Sequence, residues 1–267
     1  MHLPRIGFGT YQLQGFEAMS AITDAIDVGY RLVDSAWSYG NEGTAGAAIR
    51  RSGVARDDLL FTTKLTGRYH RYESAVTATE ESLLRSGLDH LDLQLIHWPN
   101  PRRDHYVEAW QALIDCKERG LVREIGVCNF TAEHIDRLER ETGVLPFLNQ
   151  IEVHPFFPQL QAIKFHRDRG IVTEAWSPLG RGSDLLSNPV VQRVAAENGI
   201  TSAEAVLAWH GALGTLPIPK SASKQRQAAN LAAVEIVLDD KSIQALTALA
   251  KPDGRLWGGD PQTHEDV

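Results

Sequence analysis

Leu91-Asp92-Leu93-Gln94-Leu95-Ile96-His97 is an apolar run that stops on an imidazole. Working outward, it is the fourth of eight such runs: Ile6–Thr10, Arg31–Asp34, Leu59–Lys64, Leu91–His97, Val122–Asn129, Phe147–Val153, Ile171–Trp176 and Leu216–Lys220. Helix-like stretches separate them: Glu17–Asp27, Asn41–Arg51, Tyr72–Ser86, His105–Arg119, Ala132–Glu141, Leu160–Arg169 and Ser202–Ala212, with Lys224–Ala233 after the last run. Glycines such as Gly29, Gly87 and Gly143 fall just past helix ends, where a left-handed cap favours them. The pattern is a repeated βα unit without a linker. Eight units predict an α/β protein, a (β/α)8 TIM barrel in a single domain over residues 1–267. Residues 251–267, rich in Gly and Pro, read as a loop-like tail over the barrel mouth. An open dinucleotide-binding sheet would need its three-glycine fingerprint, and Gly7-Phe8-Gly9-Thr10-Tyr11-Gln12 has only the first two.

The bulk composition sets bounds. The chain has 267 residues, 43 % hydrophobic and 23 % charged, the mix of an ordinary globular protein with a large core. A net charge of −7 argues against nucleic acid or an anionic membrane as the main partner. Two cysteines, Cys116 and Cys128, imply no disulfide framework. No run approaches a membrane span and no signal-peptide pattern opens the chain, so a cytoplasmic protein is expected. No exposed apolar seam is evident, so a monomer is expected.

Barrel enzymes place their chemistry at the C-terminal ends of the strands. Those ends read, in order, Asp34, Lys64, His97, Asn129, Gln150, Trp176 and Lys220. Tyr39 follows Asp34 on the same loop. Singly, each has a structural reading: a buried ion pair, a capped tyrosine, a satisfied histidine. As a series they predict a site. A carboxylate, a phenol, an ammonium and an imidazole converging on one mouth can protonate a carbonyl oxygen. Tyrosine has the right donor, but its free pKa of about 10 is high for an acid at neutral pH. Lys64 beside it is expected to lower that value, with Asp34 holding the ammonium. His97 is expected to donate a hydrogen bond to the substrate oxygen and orient it.

Nine segments in this order are similar to the aldo-keto reductase family. They are Gly7–Tyr11, Gly29–Ala36, Tyr39–Glu42, Thr63–Leu65, Leu95–Pro99, Ile125–Phe130, Asn149–Pro155, Trp176–Gly180 and Ile218–Ser221, and the resemblance runs nearly end to end. The short loop after His97 and the tail look most like the bacterial subgroup that includes 2,5-diketo-D-gluconate reductases. The resemblance implies NADPH/NADP+ as cofactor and a small-molecule carbonyl as substrate. It implies Tyr39 as general acid, with Asp34, Lys64 and His97. Trp176 offers a flat face to the nicotinamide, and Asn129 and Gln150 would bond its carboxamide. Lys220, Ser221 and Arg226 would hold the 2′-phosphate, in a basic, hydroxyl-rich helix start that includes Ser223. Asn230 would meet the adenine. Gly9, Thr10, Asp34, Ser177 and Leu179 complete the cofactor set. Tyr11, Trp37, His97 and Trp98, with Trp257, would wall the substrate pocket. Three positions depart from the family pattern: Ala229 where a polar residue often meets the adenine, Cys128 for a frequent serine, and Trp176 for the commoner tyrosine.

Two other readings compete. One is an NADP(H)-binding regulatory subunit with little turnover, against which the intact tetrad stands. The other is a metal-dependent barrel hydrolase using His97 and Asp34. Glu152 and His154 sit two apart but lack a third ligand at metal spacing, so no metal is expected.

Overall fold

In the computed structural model, which describes residues 1–252 and 254–266, eight parallel strands pair in chain order. They are β1 (Phe8–Gly9), β2 (Leu32–Asp34), β3 (Leu60–Leu65), β4 (Leu91–Ile96), β5 (Val122–Cys128), β6 (Leu148–Glu152), β7 (Val172–Trp176) and β8 (Leu216–Pro217). Closure comes from two hydrogen bonds between the ends of this order. The Gly7 and Gly9 N–H groups donate to the Pro217 and Pro219 carbonyls, at 3.0 and 3.2 Å. The fold is the expected (β/α)8 barrel.

Each run became a strand with its ends trimmed. The last run, Leu216–Lys220, keeps only two residues as strand. Pro217 and Pro219 have no N–H to give to a ladder, so that stretch can only accept. Gly9 is required opposite it, because a Cβ there would lie 2.7 Å from the Ile218 carbonyl oxygen.

The helices are α1 (Gly15–Val28), α2 (Glu42–Arg51), α3 (Tyr72–Ser86), α4 (Tyr106–Glu118), α5 (Ala132–Thr142), α6 (Leu160–Asp168), α7 (Pro189–Glu197), α8 (Ser202–Leu213), α9 (Lys224–Ala233) and α10 (Asp240–Thr247). The eight expected helices are present. Two more, α7 and α10, were not expected. Both carry standard start signals: Asn188 caps α7 ahead of Pro189, and Asp239 caps α10.

Apolar burial falls in layers. A large cluster that includes Ile22, Phe61, Trp110, Leu113 and Ile135 fills the space between strands and helices. A smaller one, with Val191, Val194, Trp209 and Leu246, seats α7, α8 and α10. Inside the barrel, Leu32, Leu60, Leu93 and Leu216 pack together, with Leu3 against them. The interior is therefore a packed core, and the polar strand ends sit above it. Among the described residues no helix is long and apolar enough to cross a membrane.

Candidate active site

Asp34 and Lys64 form an ion pair with essentially no solvent exposure. Lys64 Nζ lies 2.7 Å from both Asp34 carboxylate oxygens and donates to the Ser35 carbonyl at 2.8 Å. All three ammonium protons thus have acceptors, which a buried cation needs. Burial works against the Lys64 charge, but Asp34 and, less strongly, Tyr39 together hold the ammonium above its ordinary pKa.

Gln150 lies beneath the pair. Its Nε2 donates to Asp34 Oδ1 at 2.8 Å and to Glu174 Oε2 at 2.5 Å. Strand register explains this, since Gln150 of β6 is opposite Glu174 of β7. Glu174 is fully buried. Burial first, and then the Asp34 charge, push its carboxyl up to about 8. Glu174 was missed in the sequence, where an acid in the middle of the apolar run Ile171–Trp176 was the available signal.

Tyr39 sits beside Lys64, with the ammonium 5.0 Å from its ring centroid. The expected lowering of the Tyr39 pKa does not hold in this structure. Burial pushes the phenol up. Lys64 pulls it down, Asp34 pushes it back, and the balance lies above the ordinary tyrosine value. Tyr39 is therefore held as a protonated donor. The His97 ring lies edge-on to it at 6.1 Å.

The strand ends open into one cavity of about 590 Å³. Tyr39, His97, Trp98, Tyr11 and Asp34 line it, as do Gly9, Asn129, Gln150, Trp176, Ser177, Leu179 and Lys220. Asn129 and Ser177 follow β5 and β7 directly and hold left-handed backbone, with φ of 61° and 48°. Such strain gathers where a fold must aim a side chain. Asn129 Nδ2 donates to the His97 carbonyl at 3.1 Å, and its Oδ1 accepts from Trp176 Nε1 at 2.8 Å. Each end of that amide keeps one further hydrogen bond to give or take.

Beyond the cavity, Ser223 caps α9 by accepting from the Arg226 N–H, and the Ser221 hydroxyl accepts from the Ser223 N–H. Asn230 is buried on the same helix. Lys224 is turned away, to Asp24 and Asp27 at 3.1 and 3.2 Å. Lys220 and Arg226 pair with no carboxylate within 4.0 Å among the described residues. A helix start with two uncommitted cations suits a phosphate, and Trp176 with the spare Asn129 valences suits a flat amide-bearing ring. The residues present therefore fit a nicotinamide dinucleotide phosphate.

Two expected residues lie elsewhere. Thr10 is fully buried outside the cavity and donates its hydroxyl to the Asp34 carbonyl at 2.8 Å. Trp37 faces a separate cavity of about 440 Å³ with Tyr69, Glu73 and Arg85. One further residue joins the site, and Trp257 lies at it as expected. Arg181 lies over the Tyr11 and Trp257 rings, 4.8 and 5.3 Å from their centroids, and lines the main cavity. Trp257 stacks on Trp176 at 5.9 Å. Among the described residues no three His, Cys, Asp or Glu side chains gather to hold a metal ion. Glu152 instead bonds His154 at 2.9 Å and the Leu256 N–H at 2.6 Å.

A barrel with this mouth has close relatives among characterised proteins. The model of the Aldo/keto reductase family matches residues 5–251, and the chain belongs to that family. It is 48 % identical to 2,5-diketo-D-gluconic acid reductase B of Corynebacterium sp., over 98 % of this chain and 94 % of that one. It is 39 % identical to methylglyoxal reductase DkgA of Escherichia coli, over 97 % and 93 % of the two chains. Among solved structures, a mutant of Gox0644 in complex with NADPH matches with a TM-score of 0.93 and 39 % identity, over 98 % and 95 % of the two chains.

Proposed function

We propose that this chain reduces small aldehydes and ketones to alcohols, with Tyr39 as the proton donor. Family membership makes it an NADP-dependent oxidoreductase, and NADPH is its cofactor. The observation that carries the residue roles is the buried Asp34–Lys64 pair with the Tyr39 phenol beside it and His97 across one cavity.

The cofactor supplies the hydride when bound. The chain's own residues handle the oxygen. As that oxygen gains negative charge, Tyr39 O–H protonates it. An alkoxide is a stronger base than a phenolate, so a phenol held protonated still gives up its proton at that moment. The phenolate left behind faces the Lys64 ammonium, whose charge favours it. Asp34 fixes Lys64, and Gln150 fixes Asp34. His97 bonds the same oxygen and sets its direction, which keeps the carbonyl aligned for attack. Trp176, Asn129 and Gln150 would hold the nicotinamide end. Lys220, Ser221 and Arg226 would hold the 2′-phosphate. Trp98 and Tyr11 wall the substrate.

Arg181 is an exposed cation at that wall. It supports small polar carbonyl compounds as the substrate class, and acids among them in particular. The two relatives named for a keto-sugar acid and for methylglyoxal reduction agree with that range.

The test is loss of NADPH absorbance with a panel of keto acids and aldehydes, on wild type and Tyr39→Phe. Wild-type turnover that falls roughly a thousandfold in the mutant, with NADPH still bound, is expected. Tight NADPH binding without turnover in wild type would instead favour a cofactor-binding regulatory role.

A further inference from the structure

The last described residues bring a carboxylate to the rear of His97. Asp266 Oδ2 lies 3.3 Å from His97 Nδ1. Nδ1 is buried and makes no aligned hydrogen bond, so the acid stands within ion-pair reach of a ring nitrogen that has no other partner. Among the described residues no other carboxylate comes within 4.0 Å of the ring. Tyr39 faces the ring across the cavity, and His70 lies near the acid, with His105 and Arg103 near His70 in turn. Burial holds His70 near 4, so it stays neutral.

Asp266 does not rest there loosely. Its N–H donates to Asn100 Oδ1 at 2.9 Å, and Asn100 Nδ2 donates to its carbonyl at 2.7 Å. The Gly67 N–H reaches its carboxylate at 3.3 Å. Next to it, Glu265 accepts from the Arg102 N–H at 2.8 Å, and the His264 ring packs tilted against Trp98 at 4.1 Å. Gly67 is part of the seat: any Cβ there would overlap Asn100 Nδ2 and the Asp266 carbonyl oxygen. Burial works to raise the Asp266 carboxyl, but the His97 ring, the Thr66 hydroxyl and the Gly67 N–H hold it below the usual carboxylate range. It is therefore an anion and an acceptor.

We propose that Asp266 is a positioning residue for His97, accepting a hydrogen bond from Nδ1 and so fixing the ring's tautomer and aim. This rests on the reductase reading of the same site. A neutral imidazole carries one N–H. If Asp266 keeps it on Nδ1, Nε2 presents a bare lone pair to the cavity. That nitrogen suits the O–H of an alcohol. To donate to a carbonyl it must first gain a second proton, and Asp266 is then the countercharge of the imidazolium. The Nδ1 proton stays with Asp266 in both states; the proton that comes and goes is on Nε2. In the reduction itself the hydride bonds to carbon, and the proton on the product oxygen comes from Tyr39. His97 serves only as the hydrogen-bond partner of that oxygen.

The experiment is nitrogen NMR of the full chain with ¹⁵N-labelled histidine, the His97 signals identified by their loss in His97→Gln. It is paired with NADPH-dependent reduction of methylglyoxal. Wild type should show His97 with Nδ1 protonated. Asp266→Ala should shift that tautomer and, by removing the countercharge of the imidazolium that donates to the carbonyl, lower kcat about tenfold or more, with NADPH binding unchanged. Gly67→Ala, which keeps the acid but blocks its seat, should shift the tautomer likewise. A wild-type ring with bare Nδ1, or one unaltered in both variants, overturns the proposal. A wild type that keeps the Nδ1–H tautomer but turns nothing over tells against the reductase reading and still supports the pairing.

Discussion

The two sides of the barrel mouth are built differently. Around the Asp34–Lys64 pair, every charge is already committed: Lys64 to Asp34 and Ser35, Asp34 to Gln150 of β6, Gln150 to Glu174 of β7. At β8 and α9, Lys220 and Arg226 are left without a carboxylate among the described residues, and Asn129 after β5 keeps spare valences. The first side must be in place before any ligand arrives, because catalytic dipoles act best when no reorganisation is left to do. The second must stay uncommitted, because a cation already paired has less to offer a phosphate. On the proposed reading, chemistry is pre-organised here and binding is held in reserve. Mutations should separate the two.

The largest effect should come from breaking the committed side. Lys64→Met leaves Asp34 buried beside a neutral side chain. Loss of one partner of a buried pair costs about 3–5 kcal/mol, so the melting temperature should fall clearly. The rate should fall as well, by roughly a hundredfold or more, because the phenolate left on Tyr39 loses its countercharge. Calorimetry and NADPH oxidation measure the two effects separately. If kcat holds while stability drops, the committed network is structural only and the comparison fails.

The uncommitted side should respond in the other currency. Arg226→Ala and Lys220→Ala should each raise KM for NADPH by about tenfold, with kcat and stability little changed, since an exposed cation contributes to binding alone. Neither should alter KM for NADH, so the preference between the two cofactors should narrow. Arg181→Gln should have a smaller effect on a narrower set of substrates. KM should rise several-fold for keto acids, and methylglyoxal, which is neutral, should be unaffected.

Legibility in the sequence follows the same division. The strand ends were readable because an apolar run stopping on a polar residue is a local pattern, and seven of them were in phase. The barrel followed from counting the runs. Strand β8 was read too long because Pro217 and Pro219 look apolar while lacking a ladder donor. The additional helices α7 and α10 do not alternate with strands, so a reading by βα units passed over the caps at Asn188 and Asp239. The direction of the Tyr39 pKa was not readable, because it depends on how burial balances against Lys64 and Asp34. Asp266 had no signal either. It reaches His97 from the far end of the chain, and no periodicity marks such a contact.

Glu174 makes the buried network beneath Asp34 sensitive to pH. It is a fully buried carboxyl, and its charge would face Asp34 through Gln150. Its pKa is about 8 in the fold against an ordinary value of 4.5. A group whose folded pKa is raised binds its proton more tightly in the native state. Its stabilising share is full below the unfolded value and is lost as pH rises through the folded one. The protein should therefore lose stability between about pH 4.5 and pH 8 from this group alone. Glu174→Gln keeps the shape and the hydrogen-bonding atoms but cannot ionise. The mutant's melting temperature should therefore be flatter across that window, with a gain at the alkaline end of about 2–4 °C for each kcal/mol recovered. Equal slopes in mutant and wild type would mean that Glu174 ionises freely in the fold, and that the network beneath Asp34 tolerates a second negative charge.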